Sequence, residues 1–184
     1  MTRTSLTHPL QIAAISAGAG LGSVGVTFCP GKRDGHAMTG AWHRDLGVDL
    51  DAIKAWGAST VITLITQKEF SLLGVDSMGE EVMQRQMNWL HLPIVDVSIP
   101  DRKFEAQWAT VADGLHKELH SGKNVLVHCR GGLGRAGTIA ARLLVELGCS
   151  PADAISKVRA ARPGAIETRE QETYVMNIKA KEAH

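Results

Sequence analysis

The segment NVLVHCRGGLGRAGTIAARLLVELG, residues 124–148, restricts the fold of this chain more than any other. Its first five residues, 124–128, form an apolar, valine-rich run that reads as a buried strand. Gly131, Gly132 and Gly134 follow. From Thr138 onward, TIAARLLVELG is apolar nearly all round, so the helix it forms has to be buried. A buried strand that passes through a glycine turn into a buried helix belongs to an α/β layer structure.

The rest of the sequence supplies matching elements. Strands are expected at 10–16, 24–29, 59–66 and 90–95, where short apolar or β-branched runs stand between turn residues. Residues 49–57 read as a helix with Asp49 as N-cap and Gly57 past its end. GEEVMQRQMNW, residues 79–89, has helical composition. Phe104, Trp108, Val111, Leu115 and Leu119 recur at helical spacing. Ser150, Pro151 and Asp153 open a helix that Arg162-Pro163-Gly164 closes. TREQ at 168–171 fits a capping box for the last helix. Strands alternating with helices predict a central, mostly parallel twisted sheet flanked by helices. No linker divides the chain, so 1–184 is expected to be a single domain.

Charge and cysteines limit the function classes. Formal net charge is +1, so no global field draws the chain to nucleic acid, and any anion site must be local. The uncharged stretch 9–31 is broken by Gly18, Gly20, Gly22 and Gly25, which argues against a membrane span. A signal peptide there would have a single basic residue, Arg3, before it. Cys29, Cys129 and Cys149 are odd in number and widely spaced, which points to free thiols and a cytoplasmic protein. A regulatory disulfide involving Cys29 stays open. His116 and His120 stand four apart on a helix without a third ligand, so a solvated face is expected rather than a metal site.

The chemistry is expected at the glycine turn. Glycines let backbone N–H groups turn inward together, and at a helix N-terminus such a ring binds an anion. Here the ring would form over Cys129, and the same field stabilises a thiolate. Arg135 has the planar fork to hold two oxygens of a tetrahedral dianion. Phosphoryl transfer to sulfur followed by hydrolysis is the chemistry implied.

HCRGGLGR, residues 128–135, resembles the H-C-x5-R signature of the cysteine-dependent protein tyrosine and dual-specificity phosphatases. PIVDVSIPD upstream, GAIETREQ downstream and, more faintly, FCPGK at 28–32 are similar to the kinase-associated phosphatase branch. The similar region runs from about 24 to 180. The resemblance implies a protein tyrosine phosphatase-like fold. It implies Cys129 as nucleophile, with Arg130, Gly131, Gly132, Leu133, Gly134 and Arg135 as the phosphate cradle. It further implies Asp96 as general acid, with Asp101 the alternative, and Gln171 as a residue placing the hydrolytic water, although Gln171 also sits at N3 of the capping box. His128 is expected to be buried and to organise the loop. No cofactor or metal is implied. A phosphorylated protein is the expected substrate and partner, a kinase among the candidates.

One departure stands out. Many family members carry Ser or Thr after the arginine, where the hydroxyl stabilises the cysteine thiolate. Here that residue is Ala136, and Thr138 or a water is expected to replace the donor. Arg130 places a positive charge at the pocket rim. Rival readings are a rhodanese-type sulfurtransferase, whose loop is usually one residue shorter, and a non-catalytic phosphate-binding module. Phosphoinositides or RNA 5′-triphosphates would keep the chemistry and change the substrate, but RNA calls for a basic stripe that the near-neutral charge does not offer.

Overall fold

A computed structural model describes residues 2–180. In chain order the elements are β1 (Ala13–Ser16), β2 (Ser23–Thr27), the short pair β3 (Arg33–Asp34) and β4 (Trp42–His43), α1 (Leu46–Ala55) and β5 (Ala58–Thr63). Next come α2 (Gln67–Leu73), α3 (Met78–Gln84), β6 (Asn88–His91), α4 (Arg102–His120), β7 (Asn124–His128), α5 (Gly134–Glu146), α6 (Pro151–Ala161) and α7 (Arg169–Met176). Five strands form the main sheet in the order β1-β2-β7-β5-β6. β2, β7, β5 and β6 run parallel, and β1 is an antiparallel edge.

β7 takes the centre because it is apolar toward both faces. Val125 and Val127 meet one core, whereas Leu126, pointing the opposite way, meets the other. On the first face α4 contributes Phe104, Trp108, Leu115 and Leu119, α5 contributes Ile139 and Leu143, and α7 contributes Val175. On the second face Leu50 and Ile53 of α1, Phe70 and Leu73 of α2, and Met78 and Val82 of α3 cover Val61 and Leu126. Every residue of α5 is buried, the polar Arg135, Thr138, Arg142 and Glu146 included.

Several elements differ from the sequence expectation. α1 starts at Leu46 with Asp45 as N-cap, accepting from the Val48 N–H at 2.9 Å. Asp49 lies inside the helix, where its carboxylate receives Arg44 at 2.7 and 2.8 Å and the Gly31 N–H at 2.8 Å. α3 stops at Gln84, and Gln86 takes a left-handed φ of 58°, so Asn88 and Trp89 join β6 rather than a helix. The strand expected at 90–95 ends at His91. α2 was not anticipated, nor was the β3–β4 pair. His116 is not on a solvated face: it is buried against Glu146, with Nε2 and Oε2 2.8 Å apart. The same carboxylate receives the Trp108 indole N–H and the Arg142 Nε–H.

Among the described residues no helix is long and apolar enough to cross a membrane. Full burial of one Leu-sized side chain contributes roughly 1.5–3 kcal/mol. Leu143→Ala removes such a group from the centre of α5 and is expected to lower unfolding free energy by about 2–5 kcal/mol, read from urea denaturation.

Candidate active site

β7 carries Cys129 to the C-terminal edge of the sheet, and α5 begins five residues later at Gly134. The turn between them is shaped from outside. Gly132 has φ +68°, and a Cβ on it would lie 2.4 Å from Phe28 N and 2.5 Å from Thr27 C at the end of β2. Only glycine fits both demands.

The carbonyls of the turn all have partners that draw them outward. Arg130 O accepts from Cys29 N at 3.2 Å. Arg162 donates to Gly132 O through Nε at 3.0 Å and to Gly131 O through Nη2 at 3.2 Å. Leu133 O accepts from Gly137 N at 2.9 Å and Ile166 N at 3.2 Å. A planar trans peptide points its N–H opposite its C=O. Drawing the carbonyls out therefore turns the amides of 131–134 inward. Among the described residues the N–H groups of 130–133 have no acceptor.

Arg135 closes the ring from the first turn of α5. Its Nη1 donates to Glu69 Oε2 at 2.8 Å and Ile94 O at 3.0 Å, and its Nη2 donates to Glu69 Oε1 at 2.9 Å. Nη2 also lies 3.0 Å from Asp96 Oδ1. Arg135 Nε is buried and has no partner among the described residues. Burial opposes the guanidinium charge, but Glu69 and the nearby Cys129 more than offset it and push its pKa up. Burial would likewise raise Glu69, yet the bonds from Arg135 and the Thr66 N–H hold its carboxyl below the usual carboxylate range. The site thus contains a permanent cation with one donor unspent.

The structure brings Cys129, Arg135 and Asp96 together. Asp101 instead caps α4, accepting from Phe104 N at 2.8 Å. Gln171 is fully buried: Oε1 accepts from the N–H groups of Glu167 and Thr168 at 3.0 and 3.2 Å, and Nε2 donates to Ser98 O at 3.2 Å. It ties α7 to the segment that carries Asp96. Thr138 corrects an expectation: its hydroxyl donates to Gly134 O at 2.7 Å inside α5, so its one proton is not offered to Cys129. Arg130 is not an unmatched rim charge either, since Asp34 of β3 takes its Nη2 at 2.9 Å and its Nε at 3.2 Å. Cys29 is a buried free thiol, and burial raises its pKa. No three of His, Cys, Asp or Glu gather as a metal site among the described residues.

Sequence reasoning missed Glu69, Arg162 and Asp34. Only Glu69 had a local signal, the T-x-x-E capping box of Thr66 and Glu69 that opens α2. Chemically, the arrangement offers a sulfur under inward amides, a fixed guanidinium with a spare N–H, and a half-exposed carboxylate beside it.

His128 is fully buried, and burial lowers its pKa to about 4. An unfolded histidine titrates near 6.5. Between these values the unfolded chain binds the extra proton, so stability is complete above pH ~6.5 and is lost as pH falls through ~4. The unfolding free energy from urea denaturation is expected to drop over that window by roughly 3 kcal/mol in total, and His128→Asn should flatten the slope there.

The comparisons agree with this geometry. Residues 39–175 match the sequence profile described as PTP-SAK: Swiss Army Knife protein, DSP-PTPase phosphatase domain. Cyclin-dependent kinase inhibitor 3 from Homo sapiens is 32% identical over 141 residues, covering 75% of this chain and 65% of the relative. The match therefore spans just under two-thirds of that relative's length. Protein tyrosine phosphatase type IVA 3 from Homo sapiens is 30% identical over 137 residues, 74% of this chain and 73% of the relative. The crystal structure of kinase associated phosphatase with its catalytic-site cysteine replaced by serine superposes with a TM-score of 0.78 at 28% identity, covering 91% of this chain and 92% of that one. With a profile match across most of its length and relatives of the same kind in sequence and structure, this chain belongs to the DSP-PTPase phosphatase family.

Proposed function

We propose that this chain hydrolyses phosphate monoesters of a phosphorylated protein, on tyrosine, serine or threonine, through a cysteinyl-phosphate intermediate. The observation that carries the reading is the unpartnered, buried Nε–H of Arg135, set beside a ring of inward amides over Cys129. A buried donor without an acceptor is costly, and a phosphate oxygen is the group that would satisfy it together with the amides.

In the first step Cys129 Sγ attacks phosphorus and the bond to the ester oxygen breaks. Asp96, protonated, gives its proton to the departing oxygen. In the second step water attacks phosphorus, the P–S bond breaks, and Asp96 takes the proton from that water. Inorganic phosphate leaves and the thiolate is restored. Arg135 and the amides of 130–135 match the charge on the equatorial oxygens in both transition states. Arg130, Gly131, Gly132, Leu133 and Gly134 supply the cradle through their backbone. Gln171 acts on the water indirectly, by holding the segment that bears Asp96. The name of the relative cyclin-dependent kinase inhibitor 3 makes a phosphorylated kinase a candidate substrate.

Hydrolysis of a chromogenic aryl phosphate without added metal is expected for the wild type and abolished in Cys129→Ser. Phosphate or vanadate binding without turnover in the wild type would instead make this a binding module. Ala136, buried and without a hydroxyl, leaves the departing thiolate short of one donor in the second step. Rapid-quench experiments are therefore expected to trap phosphoenzyme, and Ala136→Ser is expected to raise kcat, toward the order of 10²-fold that one preorganised donor contributes. A fast wild type with no phosphoenzyme would refute this account of Ala136.

A further inference from the structure

Two carboxylates stand at the ends of the turn that holds Cys129, and the mechanism above uses neither. At the start of the turn, Asp34 on β3 takes the Arg130 side chain through Nη2 at 2.9 Å and Nε at 3.2 Å. Its other oxygen accepts from the His36 N–H at 3.2 Å. Burial would raise the pKa of Asp34, but the bonds from Arg130 hold it below the usual carboxylate range, so the pair is ionised and its charges cancel. The other cations at this edge of the sheet are engaged as well. Lys32 is buried, with Nζ 4.7 and 4.8 Å from the ring centroids of Phe28 and Trp42. Arg44 is bound to Asp49, and Arg162 lies behind the turn on the carbonyls of Gly131 and Gly132. Arg135 is matched by Glu69 and Asp96 and keeps only its Nε–H for a ligand.

At the far end of the turn is Glu167. A Cβ on Gly134 would collide with Glu167 Oε2 and lie 3.0 Å from both polar atoms of the Gln171 side chain, so the carboxylate fills the space that a larger residue at 134 would need. Gln171 Nε2 in turn donates to Ser98 O, two residues from Asp96. Glu167 therefore lies where the turn meets the segment bearing the general acid. Its backbone is fixed there under strain. The preceding Ile166 is β-branched and buried, yet takes a left-handed φ of 58°. Ile166 N donates to Leu133 O at 3.2 Å, Ile166 O accepts from Arg159 Nη2 at 2.9 Å, and Glu167 N donates to Gln171 Oε1 at 3.0 Å. The Glu167 side chain is exposed, and among the described residues its carboxylate has neither a cation nor a hydrogen-bond donor. Arg169 and Glu170, nearby in sequence, face a separate groove with Ile99, Glu105 and Tyr174.

We infer that Glu167 and Asp34 are specificity-determining residues of this site: together they select a phosphorylated protein segment with lysine or arginine beside the phosphoresidue and reject one with a second anion there. The inference deepens the phosphatase reading above and rests on it for the kind of substrate. A phosphate seated on the amides and on Arg135 Nε brings its neighbouring residues over the ends of the turn. At the Glu167 end a cation meets an unmatched carboxylate, whereas an anion meets repulsion. At the Arg130 end Asp34 has already cancelled the charge that would draw an anion. A second phosphate group would have to break the Arg130–Asp34 pair to gain a cation of its own. The same argument disfavours an inositol headgroup with several phosphates.

The test uses the full chain and two sets of synthetic peptides, one phosphotyrosine and one phosphothreonine, each with lysine, alanine or glutamate flanks. For the wild type, kcat/KM is expected to be on the order of tenfold higher with lysine than with glutamate flanks at low ionic strength, and the gap should close as salt is added. Glu167→Gln should remove most of that gap through the lysine peptides while turnover of an uncharged aryl phosphate ester stays near the wild-type rate. Asp34→Asn, which releases Arg130, should raise kcat/KM for the glutamate peptides several-fold. The affinities of Cys129→Ser protein for the same peptides should rank in the same order, and adding Glu167→Gln should level them. A wild type that prefers glutamate flanks, or a multiply phosphorylated inositol headgroup, overturns the inference. So does an unchanged ranking in Glu167→Gln. An equal loss on the aryl ester in Glu167→Gln would place that carboxylate in the chemistry and overturn its role in selection. If the wild type turns over no ester while the Cys129→Ser affinities rank as described and Glu167→Gln levels them, the phosphatase reading fails and the selection stands.

Discussion

The pair between Arg135 and Glu69 is the interaction on which the site depends. Both groups are taken out of water, and a buried ion pair is sound only when geometry and extra hydrogen bonds compensate for lost hydration. Here the compensation is nearly complete. Glu69 takes both terminal nitrogens of the guanidinium and also holds the Thr66 N–H at the start of α2. Ile94 O and Asp96 complete the guanidinium's terminal contacts. Three segments distant in sequence, the start of α2, the stretch after β6 and the first turn of α5, therefore meet at one planar group. Removing the carboxylate would strip the buried guanidinium of its bidentate partner and release the start of α2 from α5.

That convergence explains which parts of the fold were legible beforehand. Strand–turn–helix at 124–148 could be read because its signals are local: an apolar run, glycines, then a helix that is apolar nearly all round. The caps at Ser150 and Thr168 were legible for the same reason. Asp45 and Asp49 show the limit of local signals. Both are aspartates near the start of one helix, and what separates them is Arg44 and the Gly31 turn, which claim Asp49 for the interior. His116 was misplaced because its partner, Glu146, lies on another helix. α2 is seven residues long, too short for periodicity to speak, although Thr66, Glu69 and Gly74 mark its ends.

The candidate site divides in the same way. Cys129 and the turn up to Arg135 are close in sequence and carry a spacing that can be recognised. Their supports come from far away: Cys29 and Asp34 from one end of the chain, Arg162 and Ile166 from the other. No spacing rule connects such residues, because their placement is a property of the assembled sheet and not of any segment.

The outward carbonyls of the turn have one more implication. Apart from the Arg135 guanidinium, the groups that face an anion there belong to the main chain, and their orientation is maintained by contacts behind the loop, not by the sulfur in front of it. Grip and reactivity are thus lodged in separate atoms. Exchanging the thiol of Cys129 for a hydroxyl leaves that frame in place, so the turn keeps its hold on an anion after the nucleophile is gone.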